Sequence, residues 1–294
     1  MTENSVPEKP VENTEGRILA LMEVVVSLLA LEDEAQLRRL INDERGADVA
    51  DVLRRVDDET RQKLFGYLHN EQAAGALVES DTLTQRALID ELGPESFSNL
   101  VEEMAPDDAA DVLAELDEQE VAQVLTFMEP EEARELKDLL GHEEDTGGGL
   151  MTPDFVLVNE SATVGDALKA LQDEEEAADL FYVFVVDDDN RPVGAISIHK
   201  LVRARPGQPV KAIMTKDVVS VRHNTDQEEI ARIFGRYNLM AMPVVDDEGR
   251  LIGRITADDV MDVMDEENEE DIFKMAGTSQ GETEHLSVLR LPVT

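Results

Sequence analysis

Between Asp258 and Asp271 the chain reads DDVMDVMDEENEED, nine carboxylates in fourteen residues with no basic side chain. At helical spacing Asp258, Asp262, Asp265 and Glu269 fall on one stripe, while Val260, Val263 and Met264 lie off it and can pack. Like charges four residues apart oppose a helix by roughly 0.2–0.5 kcal/mol per pair. Such a stripe needs bulk solvent or a cation to screen it. A hard divalent cation, Mg2+ first among them, suits carboxylate oxygens. A solvated acidic face is the other reading, because charge blocks commonly mark solvated segments. Two smaller acidic groups share the ambiguity. Asp107 and Asp111 stand four apart, with Asp108 beside them, just after Pro106. Asp226 and Glu228 open the segment DQEEIARIFGRY. At both places a helix cap or first-turn carboxylate is the plainer reading and a metal contact the sharper one.

Most other chemistries lack their residues. There is no cysteine, which removes disulfides, thiolate zinc sites and Cys nucleophiles. The five histidines are scattered and give no metal spacing such as HExxH. No GxSxG, Walker loop or GxGxxG is present, so an enzyme is not expected. Gly147, Gly148 and Gly149 read as a hinge rather than a phosphate cradle. The net charge is −41, from 67 acids against 26 bases. That argues against nucleic acid and anionic membrane surfaces as partners and favours cations, or basic surfaces on another polypeptide. Adaptation to high salt would explain the same surplus.

The elements that must position these groups follow from periodicity. Residues 1–16 are polar, contain proline, and read as a disordered tail rather than a signal peptide. Ile18 to Leu31 is apolar but short and carries Glu23, so it reads as a helix and not a bilayer span. From 17 to 141 the pattern is helical with a short period. Pro94, Pro106 and Pro130 are spaced by 12 and 24, with Glu118 in the missing slot, and an acid follows each proline. This is proline in the first helical turn with a carboxylate at the positive helix end. Twelve-residue steps align Leu64, Ala76, Leu88, Leu100, Val112 and Val124, and likewise Phe65, Leu77, Ile89, Val101, Leu113 and Leu125. Short helices at a fixed period predict a superhelical array whose units bury their apolar faces on one another. HEEDTGGG at 142–149 reads as a Gly-rich linker that frees the chain. Beyond it a β-α-β-β-α pattern occurs twice, over 150–209 and 210–271, each copy opening on Met-Thr at Met151 and Met214. Gly194 and Gly253 are equivalent in the two copies, as are Ser197 and Thr256. Two small α/β units packed by pseudo-twofold symmetry are expected. Residues 272–294 read as a C-terminal segment.

The second half resembles a CBS-domain pair. From about 17 to 285 the chain resembles the cytosolic part of MgtE-type magnesium channels. The motifs that carry this are MxPDDAADVL at 104–113 (Ala105 occupying the free position), EEDTGGGLMT at 143–152, DQEE at 226–229, TADDVMDV at 256–263 and EEDIFKMAG at 269–277. Their order and separation are more specific than any one of them. The resemblance implies an α plus α/β protein: an all-α superhelical N domain of short helices followed by a tandem CBS pair. It implies a homodimer through the CBS units, a location on the cytoplasmic side of the cell membrane, and a membrane pore that this chain lacks. It also implies several Mg2+ ions held between acidic surfaces. Asp107, Asp108 and Asp111 match the N-domain positions. Asp259 and Asp262 face them in that family, Glu267, Glu270 and Asp271 lead toward the pore, and Asp226 and Glu228 match contacts on the second CBS helix. A competing expectation is an adenine nucleotide, ATP or AMP, in the cleft of the CBS pair. Thr256 to Asp259 satisfies the ribose-binding Ser/Thr-x-x-Asp pattern. Ser197 begins the equivalent place but Lys200 replaces its Asp. Tyr182 is retained, whereas His199 and Leu239 replace the expected Arg and aromatic ring.

Overall fold

The computed structural model describes residues 14–173, 180–264 and 267. The chain divides into two compact units between Leu136 and Lys137. The first opens on α1 (Thr14–Ala30), which begins three residues before the expected position 17. Short helices follow: α2 (Glu34–Asn42), α3 (Gly46–Arg55), α4 (Asp58–Phe65), α5 (Asn70–Val78), α6 (Thr82–Ile89), α7 (Pro94–Val101), α8 (Pro106–Ala114), α9 (Glu118–Val124) and α10 (Pro130–Leu139).

The twelve-residue period is a period of helix starts. N-caps stand at Asp33, Arg45, Asp57, His69, Asp81, Gly93, Ala105 and Asp117, in uniform steps of 12. Four of them are aspartates whose carboxylates accept a first-turn amide, which satisfies a donor the helix leaves unpaired. Where Gly93 and Ala105 cannot cap, Pro94 and Pro106 occupy the first turn and remove one amide needing a partner. Both apolar rows read from the sequence are buried throughout. Alternate helices stack, α1 on α3, α3 on α5, α5 on α7 and α7 on α9. The closest approach is at Gly46, where a Cβ would lie 2.8 Å from the Gly75 carbonyl carbon of α5.

The second unit holds two sheets. β1 (Val156–Asn159) is parallel to β2 (Tyr182–Val186), which is antiparallel to β3 (Pro192–Ser197), and β3 pairs with β4 (Thr215–Lys216). In the other sheet, β5 (Val221–Arg222) is parallel to β6 (Ala241–Val245), which is antiparallel to β7 (Leu251–Thr256). Helices α11 (Val164–Asp173), α12 (Ile198–Arg203) and α13 (Gln227–Tyr237) lie between the strands, and a helix α14 follows β7 over 257–264. Val183, Val185, Ile196 and Leu201 centre the first core. Phe184, Val186 and Leu251 form a cluster shared by the two halves.

The two repeats are not self-contained as their sequence boundaries suggest. β4, which opens the second repeat, pairs with the first through Ala195–Thr215 and Gly194–Lys216. Thr152, which opens the first, exchanges backbone hydrogen bonds of 2.8 and 2.9 Å with Arg254 of β7. Met214 lies over Gly194 and Met151 over Gly253, and a Cβ at either glycine would meet the methionine Sδ at 2.6 Å. Each Met-Thr start thus completes the other repeat.

The Gly-rich linker also differs from expectation, because it is docked rather than free. Gly147 N–H donates to Thr225 O at 2.7 Å, Gly148 N–H to His223 O at 2.6 Å, and Gln227 N–H to Asp145 O at 3.0 Å. Its glycines serve close approach. A Cβ on Gly147 would sit 2.8 Å from Arg222 O, and one on Gly148 would strike the His142 ring.

Candidate metal site

Asp107 and Asp108 lie in the first turn of α8, where the helix dipole favours negative charge. Asp107 is buried, Asp108 is half-buried and Asp111, one turn on, is exposed. The helix starts there because Pro106 fixes the backbone, and Ala109, Ala110, Val112 and Leu113 are buried.

In the second unit, β7 hands over to α14 through Thr256. The Asp259 carboxylate accepts from Thr256 N–H at 3.0 Å and from its hydroxyl at 2.6 Å. The Thr256 hydroxyl also meets the Asp258 carboxylate. Burial pushes the Asp259 carboxyl above the usual carboxylate range; the hydrogen bonds from Thr256 oppose this, Asp258 adds to it, and Arg254 works against it. The Thr-x-x-Asp pattern is therefore a local clasp that holds one carboxylate in a poorly hydrated place. Asp262 is exposed one turn further. Val260 and Val263 are buried as expected, but Met264 is 47% exposed and Met261 64%. Both methionines project from the acidic helix rather than packing beneath it.

Asp226 caps α13, its carboxylate accepting from Glu228 N–H at 3.0 Å, and both residues are exposed. Glu267 accepts from the Gln227 side chain at 2.9 Å, which ties the acidic stretch after α14 to the start of α13. Glu270 and Asp271 lie outside the described residues, as do Asp265 and Glu269 of the stripe, Glu266 and the segment 272–294. Among the described residues no three acids or histidines converge into a metal-holding group.

At the nucleotide positions, Tyr182 is half-buried against the Phe184 cluster. Ser197 precedes α12 with no side-chain capping bond, and Lys200 and His199 are exposed. The two halves therefore differ chemically, a carboxylate clasp after β7 and basic side chains after β3.

One pairing escaped sequence analysis. His142 and His223 bring their rings to 5.4 Å between centroids, tilted by 53°. They are 81 positions apart in the chain, so no local spacing could reveal them.

Residues 45–145 match the family model described as the MgtE intracellular N domain. Residues 148–207 and 210–266 each match the CBS domain. The magnesium transporter MgtE of Enterococcus faecalis is 41% identical over 225 residues, 76% of this chain and 50% of that protein. The magnesium transporter MgtE of Thermus thermophilus is 45% identical over 142 residues, 48% of this chain and 32% of that protein. Among solved structures, the cytosolic domain of the Mg2+ channel MgtE in complex with ATP aligns at a TM-score of 0.75 and 34% identity, covering 81% of this chain and 99% of that one. The fold and the sequence together define a helical N domain joined to a CBS pair. The chain belongs to the MgtE family and corresponds to the cytosolic region of its members. It spans one third to one half of the curated relatives it matches. No described helix is long and apolar enough to cross a membrane.

Proposed function

We propose that this chain is the Mg2+-sensing regulatory region of a magnesium transporter, acting at the cytoplasmic face of the membrane as a homodimer through its CBS units. The observation that carries the reading is a carboxylate-bearing helix start in each unit. Asp107 and Asp108 open α8 and Asp111 follows; Asp258 and Asp259 open α14 and Asp262 follows. Burial already penalises the charge on Asp259, so a nearby cation stabilises its ionised form. Bound Mg2+ supplies two positive charges and a hydration shell that can link carboxylates from separate surfaces. Without it the two acidic faces repel. With it Asp107 and Asp111 share ions with Asp259 and Asp262, and the two units draw together into the state that closes the pore. Asp226, Glu228, Glu267, Glu270 and Asp271 contribute further contacts. Several weak sites acting on one two-state equilibrium give a steep response.

Small-angle scattering tests this. Millimolar MgCl2 reduces the radius of gyration, and KCl at matched ionic strength does not. Replacing Asp107, Asp111, Asp259 and Asp262 together by Ala abolishes the change. Compaction that survives the four substitutions refutes the bridging assignment.

A second ligand, ATP or AMP in the CBS cleft, is favoured by the Thr256–Asp259 clasp and by the retained, half-buried Tyr182. The related structure at 34% identity holds ATP. Asp259 hydrogen-bonds the ribose in this reading. Calorimetry with each nucleotide, with and without Mg2+, tests it: heat that vanishes in Asp259→Ala supports the cleft, and none in the unaltered chain rejects it.

A further inference from the structure

The segment that follows α10, within the second unit, is a strap laid along the second CBS repeat. Thr146 bridges Asp226, and the Gly147 and Gly148 amides donate to Thr225 and His223. Gly147 also faces the buried side chain of Ile230. The strap begins at His142, whose ring fills the space a Cβ on Gly148 would take. Its other neighbour is the ring of His223, from the very stretch on which the strap is docked. Two imidazole rings therefore face one another across the docking contact.

We propose that the strap 142–149 is a pH-operated latch: with His142 neutral it stays docked on the second CBS repeat, and protonation of His142 against the His223 ring releases it. Two like charges at this separation repel, and a half-buried ring is costly to charge. Asp138 of α10 favours the protonated form of His142, and Asp247 in the β6–β7 turn lies 3.8 Å from His223 Nε2. Along the two segments themselves run Glu143, Glu144 and Asp145, and Arg222 and Asp226. Against Asp138, burial first and His223 second hold the His142 imidazole below its ordinary value of 6.5. The sign follows from that direction. A base whose proton affinity is lower when docked than when free weakens docking as pH falls below its free value. Docking is therefore full above about pH 6.5 and declines below it. Release also reaches the acidic stretch, because Gln227, whose amide the strap engages, holds Glu267.

Hydrogen exchange on the 294-residue chain without Mg2+ tests this independently of metal sensing. After correction for intrinsic exchange rates, protection of the Gly147 and Gly148 amides drops on the order of tenfold between pH 7.5 and 5.5. The Thr152 and Arg254 amides, which pair elsewhere in the same unit, hold constant. His142→Phe keeps a ring but cannot be charged, and abolishes the pH dependence while leaving protection at pH 7.5. His223→Phe removes only the share due to the second ring and so reduces the pH dependence without abolishing it, and provides the second variant if the first fails to dock. Flat protection in the unaltered chain overturns the latch, as does a pH dependence that persists in the double Phe variant.

Discussion

Asp259 is pulled two ways. The clasp from Thr256 N–H and hydroxyl favours its carboxylate, while burial and Asp258 disfavour the charge. Burial wins, so its folded proton affinity is raised. The sign is then fixed: the site contributes most to stability below the usual carboxylate range, and the contribution is lost as pH rises through the raised value. Once ionised, the group is a net cost to the fold. Asp259→Asn keeps an acceptor for Thr256 and removes that cost. We expect a higher melting temperature without Mg2+ and a smaller rise when MgCl2 is added, read by thermal denaturation at pH 7.5. An unchanged Mg2+ response would remove Asp259 from the metal set. Sequence alone marked this residue through a four-residue pattern but could not reveal how far its carboxyl is withdrawn from water. Asp226 illustrates the reverse. Its place before an amphipathic run identifies a cap, and the cap is what its carboxylate does here.

At the scale of elements, the N domain is nearly all local. Its helix starts recur every twelve residues and its caps satisfy amides within three positions, so proline, aspartate and the apolar rows announce it. The cap at Asp81 accepts from Thr84 N–H at 3.0 Å. Asp81→Ala should cost about 1 kcal/mol in denaturant unfolding, whereas His69→Ala, at a cap with no side-chain bond, should be close to neutral. Gly46→Ala is predicted to cost more, about 1–3 kcal/mol, because its Cβ meets Gly75 backbone that cannot swing away. Gly66→Ala, with its nearest contact at 3.4 Å, serves as the control and should change little. The CBS pair was less legible. Strand and helix order could be read from alternating β-branched runs, but the exchange of Met-Thr starts could not. Nothing in Met151 or Met214 says which repeat they serve. The linker was misjudged because glycine looks the same whether it gives a chain freedom or lets two backbones touch.

Across the whole molecule the charge of −41 is the dominant long-range feature. Self-repulsion destabilises compact states and monovalent salt screens it over about 10 Å at 0.1 M. Raising KCl should therefore raise the urea midpoint gradually at concentrations of hundreds of millimolar. A site-specific Mg2+ effect should saturate at millimolar levels and disappear in the four-alanine variant. If both salts act alike at equal ionic strength, the surplus of acids is a solubility device and no more. The reciprocal placement of the two Met-Thr starts carries a different consequence, one for biosynthesis. The first repeat leaves the ribosome with its sheet edge bare, since the strand that closes it has not yet been translated. It must wait for residues 214–216, while residues 151 and 152 wait for β7. Neither half can mature alone, so severing the gene between them should yield two aggregation-prone fragments rather than two small domains.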